Sequence, residues 1–155
     1  MKLSFPLAAA FAALLTLTAC GGGGGTAGTD NSANLGSSVK ITDIAIGTGT
    51  LAATGNRVQV HYTGWLYSAT AANNKGAQFD SSVGVGKAPI EFVIGATNII
   101  PGFSQGVNGM KVGGKRTVIV PSSLAYGAAG SPPVIPGNAD LVFDLELVKV
   151  CGATC

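Results

Sequence analysis

Four groupings of residues in this chain have the types and spacing that chemistry requires. Asp144 and Glu146 stand two apart, a spacing open to acid-base work or, more simply, to the wet face of one strand. Gly109 to Lys115 reads GMKVGGK, the G-x-x-x-x-G-K skeleton of a phosphate loop. Arg116 follows where Ser or Thr should hold magnesium, and KRTVIV then reads as a strand where a helix should start. Without a helix N-terminus there is no phosphate cradle, so that match is accidental. His61 is the only histidine; it sits in a strand pattern with no nucleophile motif beside it, and reads as structural. A zinc site needs four ligands and His61 is the only histidine, so neither a metal nor a cofactor is expected.

What remains is a lone phenol, Tyr126, in the loop LAYGAAGSPPVIPG from Leu124 to Gly137. Glycine and proline exclude regular structure there, yet Leu124, Val134 and Ile135 make the loop apolar. An enzyme built on such parts would work without a charged or covalent apparatus.

The elements that must position these residues are mostly strands. KITDIAI (residues 40–46) alternates apolar and polar residues, and RVQVHYTGWLY (57–67) is rich in β-branched and aromatic residues. In the second, Val58, Val60 and Tyr62 share one face. SATAANNKGAQ (68–78) reads as a polar hairpin tip, IEFVI (90–94) as a short strand, and KRTVIV (115–120) and ADLVFDLELVKV (139–150) as two more. Phe103, Val107 and Met110 recur at helical spacing, though Gly106 and Gly109 mean that packing must sustain the helix. The predicted class is α+β: an antiparallel sheet of about five to six strands around one short α-helix. The basic residues Lys111, Lys115 and Arg116 are expected on a solvated hairpin. A net charge of +2 over 155 residues offers no footprint for nucleic acid.

The ends differ in kind from this domain. Residues 1–19 have one lysine, then a small and apolar run, as a secretory leader does. They end in Leu17-Thr18-Ala19-Cys20, which resembles the lipobox of bacterial lipoproteins and would make Cys20 a lipidated N-terminus; the alternative is an ordinary leader with an incidental cysteine. By the same resemblance, Gly21 after the cysteine favours the outer membrane, facing the periplasm, in a Gram-negative cell. Residues 20–38 then form a Gly/Ser-rich tether, spanning roughly 23 Å as a random coil. The domain occupies 39–150. The tail, 151–155, holds Cys151 and Cys155, either a short disulfide or two free thiols.

Within the domain, six runs occur in one order: VHYTG (60–64), FDSS (79–82), IIPGF (99–103), GMKVGGKR (109–116), LAYG (124–127) and LVFDLEL (141–147). Together they resemble the FKBP family of peptidyl-prolyl isomerases, of the bacterial lipoprotein or periplasmic kind. The resemblance implies a sheet curled around the helix, with an apolar pocket between. Tyr62, Phe79, Ile90, Ile99, Ile100 and Phe143 would wall it, and Phe103 would form its floor. Asp80 and Tyr126 would supply polar contacts at the rim, and Val134 and Ile135 would close it. Tyr62, Asp80, Tyr126 and Phe143 are the implied catalytic set. Tyr62, Phe79 and Phe143, read without the resemblance, are what any sheet core packs.

The implied partners are proline-containing polypeptides and macrolide inhibitors such as rapamycin, with the membrane reached through the N-terminal lipid. No nucleic acid is expected, and a monomer is. A second reading keeps the pocket but not the turnover, as a peptide-binding or adhesion module.

Overall fold

The structure, a computed structural model, describes residues 36–152 and 155. The expected leader, the lipidation site Cys20 and nearly all of the tether lie outside the described residues.

Six strands form one antiparallel sheet: β1 (Lys40–Ala45), β2 (Arg57–Tyr67), β3 (Lys75–Ser81), β4 (Ile90–Val93), β5 (Lys115–Val120) and β6 (Leu141–Cys151). Their order is β1-β5-β6-β2-β3, with β4 also on β2. β2 is long enough to hold β6 along one side and both β4 and β3 on the other. β4 takes Arg57 to Val60, and β3 takes Thr63 to Tyr67. The predicted class therefore holds.

One helix, α1 (Pro101–Val107), packs on the sheet with Phe103 and Val107 inward. Pro101 suits its first turn, since that N–H would have no partner within the helix. The helix lies unusually close to β5: a Cβ on Gly102 would stand 2.2 Å from Val120 Cγ1. The buried core takes alternate residues of each central strand: Val58 and Val60 of β2, Val118 and Val120 of β5, and Leu141, Phe143, Leu145 and Leu147 of β6.

Three expectations change. Residues 68–78 are not all a hairpin tip, because β3 begins at Lys75 after a single 3-10 turn (Ala72–Asn74). Its polar residues carry little strand signal, but the open side of β2 offers a ladder that their backbone completes. The helix stops at Val107, and Met110 reaches the core from the following turn instead. Arg116 is not solvated. It is buried, and its guanidinium donates to the carbonyls of Gly106 (2.8 Å) and Asn108 (3.3 Å), satisfying the end of α1. The same group binds Asp43 of β1 at 2.8 Å, tying the edge strand to the helix.

The groupings set aside as non-catalytic are structural here. Gly109 to Gly114 forms a turn, with Gly114 N–H on Lys111 C=O at 2.8 Å, and leads into β5 rather than a helix. Asp144 accepts from Lys75 (2.6 Å) and Thr117 (2.7 Å), while Glu146 pairs with Lys115 at 3.1 Å. His61 Nδ1 lies 3.0 Å from the carbonyl of Ser82 and so carries the proton in that bond. Cys151 and Cys155 are joined by a disulfide, their Cα atoms 5.0 Å apart, closing the end of β6.

Candidate active site

Alternation places Tyr62 of β2, Phe79 of β3 and Phe143 of β6 on one surface of the sheet, where α1 presents Phe103. The rings meet edge to face. Centroids are 5.6 Å apart for Tyr62 and Phe103, 5.7 Å for Phe79 and Phe143, and 5.3 Å for Phe103 and Phe143, with planes within a few degrees of perpendicular. Such packing turns positive ring edges onto negative faces and fixes each ring against its neighbours. Phe92 of β4 supports Phe103 from behind at 5.5 Å.

The rings bound a cavity of about 170 Å³, whose lining also includes Asp80, Ile90, Ile99, Ile100 and Tyr126. Larger depressions of about 350 Å³ and 210 Å³ lie beside β1, but neither gathers an aromatic side chain. Phe103 and Phe143 are nearly inaccessible at the bottom; Asp80 and Tyr126 are exposed at the rim. The isoleucines come from β4 and from the segment leading into α1, so the helix N-terminus and the sheet jointly shape the opening.

Gly64 makes this approach possible. It pairs with Asp80 on one side and with Phe143 on the other. A Cβ there would stand 2.5 Å from Phe79 Cζ and 3.0 Å from Phe143 Cε1, so the two rings meet over a bare backbone.

The polar groups are mostly committed to each other. The Tyr62 hydroxyl donates to Asp80 Oδ2, and the Ser81 N–H donates to Asp80 Oδ1 at 2.8 Å. Burial pushes the Tyr62 phenol well above its ordinary pKa. The hydrogen bond to Asp80, the Asp80 charge and the nearby Tyr126 push it further the same way. Tyr62 is therefore a neutral donor across the physiological range, and the Asp80 carboxylate is held in one orientation.

The sequence-derived residues thus assemble, with two exceptions. Val134 and Ile135 are not in the lining: Ile135 is buried in the core, and Val134 is half exposed on the loop. The reason is local. Ser131 and Ile135 exchange backbone hydrogen bonds of 2.8 and 2.9 Å, and this tight turn carries Ile135 inward and Val134 out. Asn98 lines the cavity and was not anticipated, since nothing in a polar residue before two isoleucines signals a pocket.

Residues 49–148 match the family model described as FKBP-type peptidyl-prolyl cis-trans isomerase. A peptidyl-prolyl cis-trans isomerase of Saccharomyces cerevisiae is 52% identical over 99 residues, covering 64% of this chain and 68% of the yeast protein. An FK506-binding protein of Neisseria meningitidis serogroup A is 42% identical over 113 residues, covering 73% of this chain and 96% of its own length. A crystal structure of a peptidyl-prolyl cis-trans isomerase from Pseudomonas syringae pv. tomato superposes with a TM-score of 0.60 at 29% identity, over 82% of this chain and 84% of that one. A chain with these relatives, whose described residues hold four aromatic rings between an antiparallel sheet and one short helix, belongs to the FKBP-type peptidyl-prolyl cis-trans isomerases.

Proposed function

We propose that this isomerase acts at the cell envelope on incompletely folded polypeptides, held near the membrane by a lipid on Cys20, and that the cavity under Tyr62, Phe79, Phe103 and Phe143 takes the prolyl ring. The observation that carries the site assignment is the meeting of four aromatic rings beneath a rim that holds Asp80 and Tyr126.

The chemistry asks little of the protein beyond that. An X-Pro bond rotates over a barrier of about 18–20 kcal/mol because resonance flattens the amide, and it interconverts in tens to hundreds of seconds. Twisting the bond breaks the resonance and leaves less charge on the carbonyl oxygen. Water solvates the planar form better, so a dry aromatic cavity favours the twisted one. The Tyr126 hydroxyl, exposed at the rim, holds the carbonyl as it turns. Asp80, fixed by Tyr62 and the Ser81 amide, orients the group beside it. No proton changes hands. A 10⁴-fold acceleration needs only about 5.5 kcal/mol of preference for the twisted state.

The envelope assignment is supported by the leader-like residues 1–19, the lipobox-like ending at Cys20 and the Cys151–Cys155 disulfide, a bond that persists in oxidising compartments. The Neisseria relative is named for binding FK506, and we extend that to macrolides of the FK506 and rapamycin type occupying this cavity.

Proline-limited refolding of a reduced, carboxymethylated ribonuclease, with and without rapamycin, tests the site. Acceleration abolished by rapamycin is expected. Rapamycin binding with an unaltered slow phase would favour a peptide-binding module instead. Mass spectrometry of the mature N-terminus tests the anchor: a diacylglyceryl-modified Cys20 supports it, and an unmodified cysteine removes it.

A further inference from the structure

The segment between β4 and α1 ends in Asn98, Ile99 and Ile100, and all three line the cavity. Both ends of this segment are pinned. Ala96 N–H donates to the Val93 carbonyl at 3.1 Å, and Gly95 N–H donates to the buried Ser104 hydroxyl at 3.3 Å. At the other end the Ile100 carbonyl accepts from Phe103 N–H at 3.1 Å and from Ser104 N–H at 3.3 Å, opening the helix. Gly95 takes φ +90°, which its neighbours' side chains would resist. Asn98 is thus set at the cavity by a held turn.

Four of the lining side chains are polar: Tyr62, Asp80, Asn98 and Tyr126. Tyr62 and Asp80 are bound to each other, and Asp80 also accepts from the Ser81 amide. The Asn98 carboxamide, exposed at the opening, makes no hydrogen bond within the described residues, and neither does the Tyr126 hydroxyl. A carboxamide carries its donors on one atom and its acceptor on another. Among the described lining residues, Asn98 alone presents such a donor and acceptor side by side and uncommitted.

We propose that Asn98 is a substrate-binding residue, whose carboxamide grips the main chain of the residue that follows the proline. The inference rests on the cavity being the prolyl site. An extended residue turns its own N–H and C=O to the same side, the pair that antiparallel strands exchange. A carboxamide matches that pair with one acceptor and one donor. Proline itself has no N–H, and the carbonyl before it must turn, so neither position offers the pair. Residues further toward the N-terminus move with the rotating acyl half. The residue after the proline stays with the seated ring throughout. The grip is then equal in the planar and twisted states, so it tightens binding without changing turnover. It reads main chain alone, which suits an enzyme whose substrates share a proline and little else.

The test is Asn98→Leu, which keeps a similar shape and removes both hydrogen-bonding groups. It is assayed on a blocked peptide with one proline followed by alanine, and on a twin that ends at the proline as a dimethylamide and offers neither group. On the longer peptide KM is expected to rise about three- to tenfold at constant kcat, as the loss of one or two hydrogen bonds implies. On the twin kcat/KM should match wild type, and the urea midpoint should be unchanged. An equal loss on both peptides, no loss on either, a loss in kcat alone or a lowered midpoint overturns the proposal. Wild-type protein inert on both peptides would instead sink the isomerase reading of the cavity. Asn98 would then be judged by equilibrium binding of the same peptides. Wild type must hold the longer one about three- to tenfold more tightly than the variant does, and equal affinities overturn the proposal.

Discussion

Replacing Gly64 by alanine adds one methyl group at the point where β2 passes beneath Phe79 and Phe143. The new Cβ would stand 2.5 and 2.8 Å from Phe79 Cζ and Cε2, and 3.0 Å from Phe143 Cε1. Carbon atoms rest at about 3.5–4.0 Å, so something must retreat by about 1 Å. Phe143 is locked in the core, but Phe79 is only partly buried and is struck at the far end of its ring. Phe79 therefore swings. Doing so weakens its edge-to-face contact with Phe143, worth about 0.5–1.5 kcal/mol, and moves it off its rotamer at a similar cost. The sum, about 1–3 kcal/mol, is the usual penalty of overpacking.

The swing also reaches the site. A ring shifted by this much sweeps ~30 Å³, the share of one water molecule, from a cavity of about 170 Å³. The predicted result for Gly64→Ala is a urea midpoint lowered by that stability loss and a kcat/KM on a proline-containing tetrapeptide reduced about tenfold. Gly152→Ala, where an added Cβ meets nothing, is the control and should match wild type in both. Combining Gly64→Ala with Phe79→Leu should recover stability. Wild-type stability and kcat/KM in Gly64→Ala would refute the reasoning outright. Lost stability with full activity would show that the ring leaves the cavity open, and would refute the link to catalysis.

Tyr126→Phe removes a rim hydroxyl that makes no hydrogen bond within the described residues, so kcat/KM should fall about two- to tenfold with an unchanged urea midpoint. A shifted midpoint would mean the hydroxyl serves the fold. Raising the pH should weaken the fold through Tyr62. Its folded pKa lies above that of an unfolded tyrosine, near 10, so the contribution is complete below about pH 10 and is lost as pH rises toward the folded value. In Tyr62→Phe the alkaline slope of stability should be shallower, read by urea titrations from pH 9 upward; an identical slope would contradict the assignment. Arg116→Met strips the carbonyls of Gly106 and Asn108 and the Asp43 carboxylate of their donor, and should cost about 2–3 kcal/mol in urea unfolding. A loss under 0.5 kcal/mol would show that water replaces the guanidinium.

Central strands were legible because burial on one face writes its period into the sequence: Val58 and Val60, then Phe143, Leu145 and Leu147, alternate as the pleat demands. β3 was not, since an edge strand held by backbone pairing leaves Lys75 and Gln78 free to be polar. Arg116 looked like one of a basic trio, and only its distance from the helix end reveals its task. The pocket residues became recognisable through ordered runs resembling a family, and nine of them do line the cavity. Where loop geometry decides, as for Val134 and Ile135, sequence order alone cannot say which side chain turns inward.

The last strand in sequence is not the last in space. β6 lies between β5 and β2, so residues 141–151 must arrive before the two halves of the sheet can be joined. Arg57 pairs with Cys151, and Lys40 with Ile119, across most of the domain. The β1–β5 pair and the β2–β3–β4 group are joined only when β6 docks between them. Folding therefore proceeds over long loop closures, which are slow. The position of one strand thus sets how late the two halves of the sheet can close on each other.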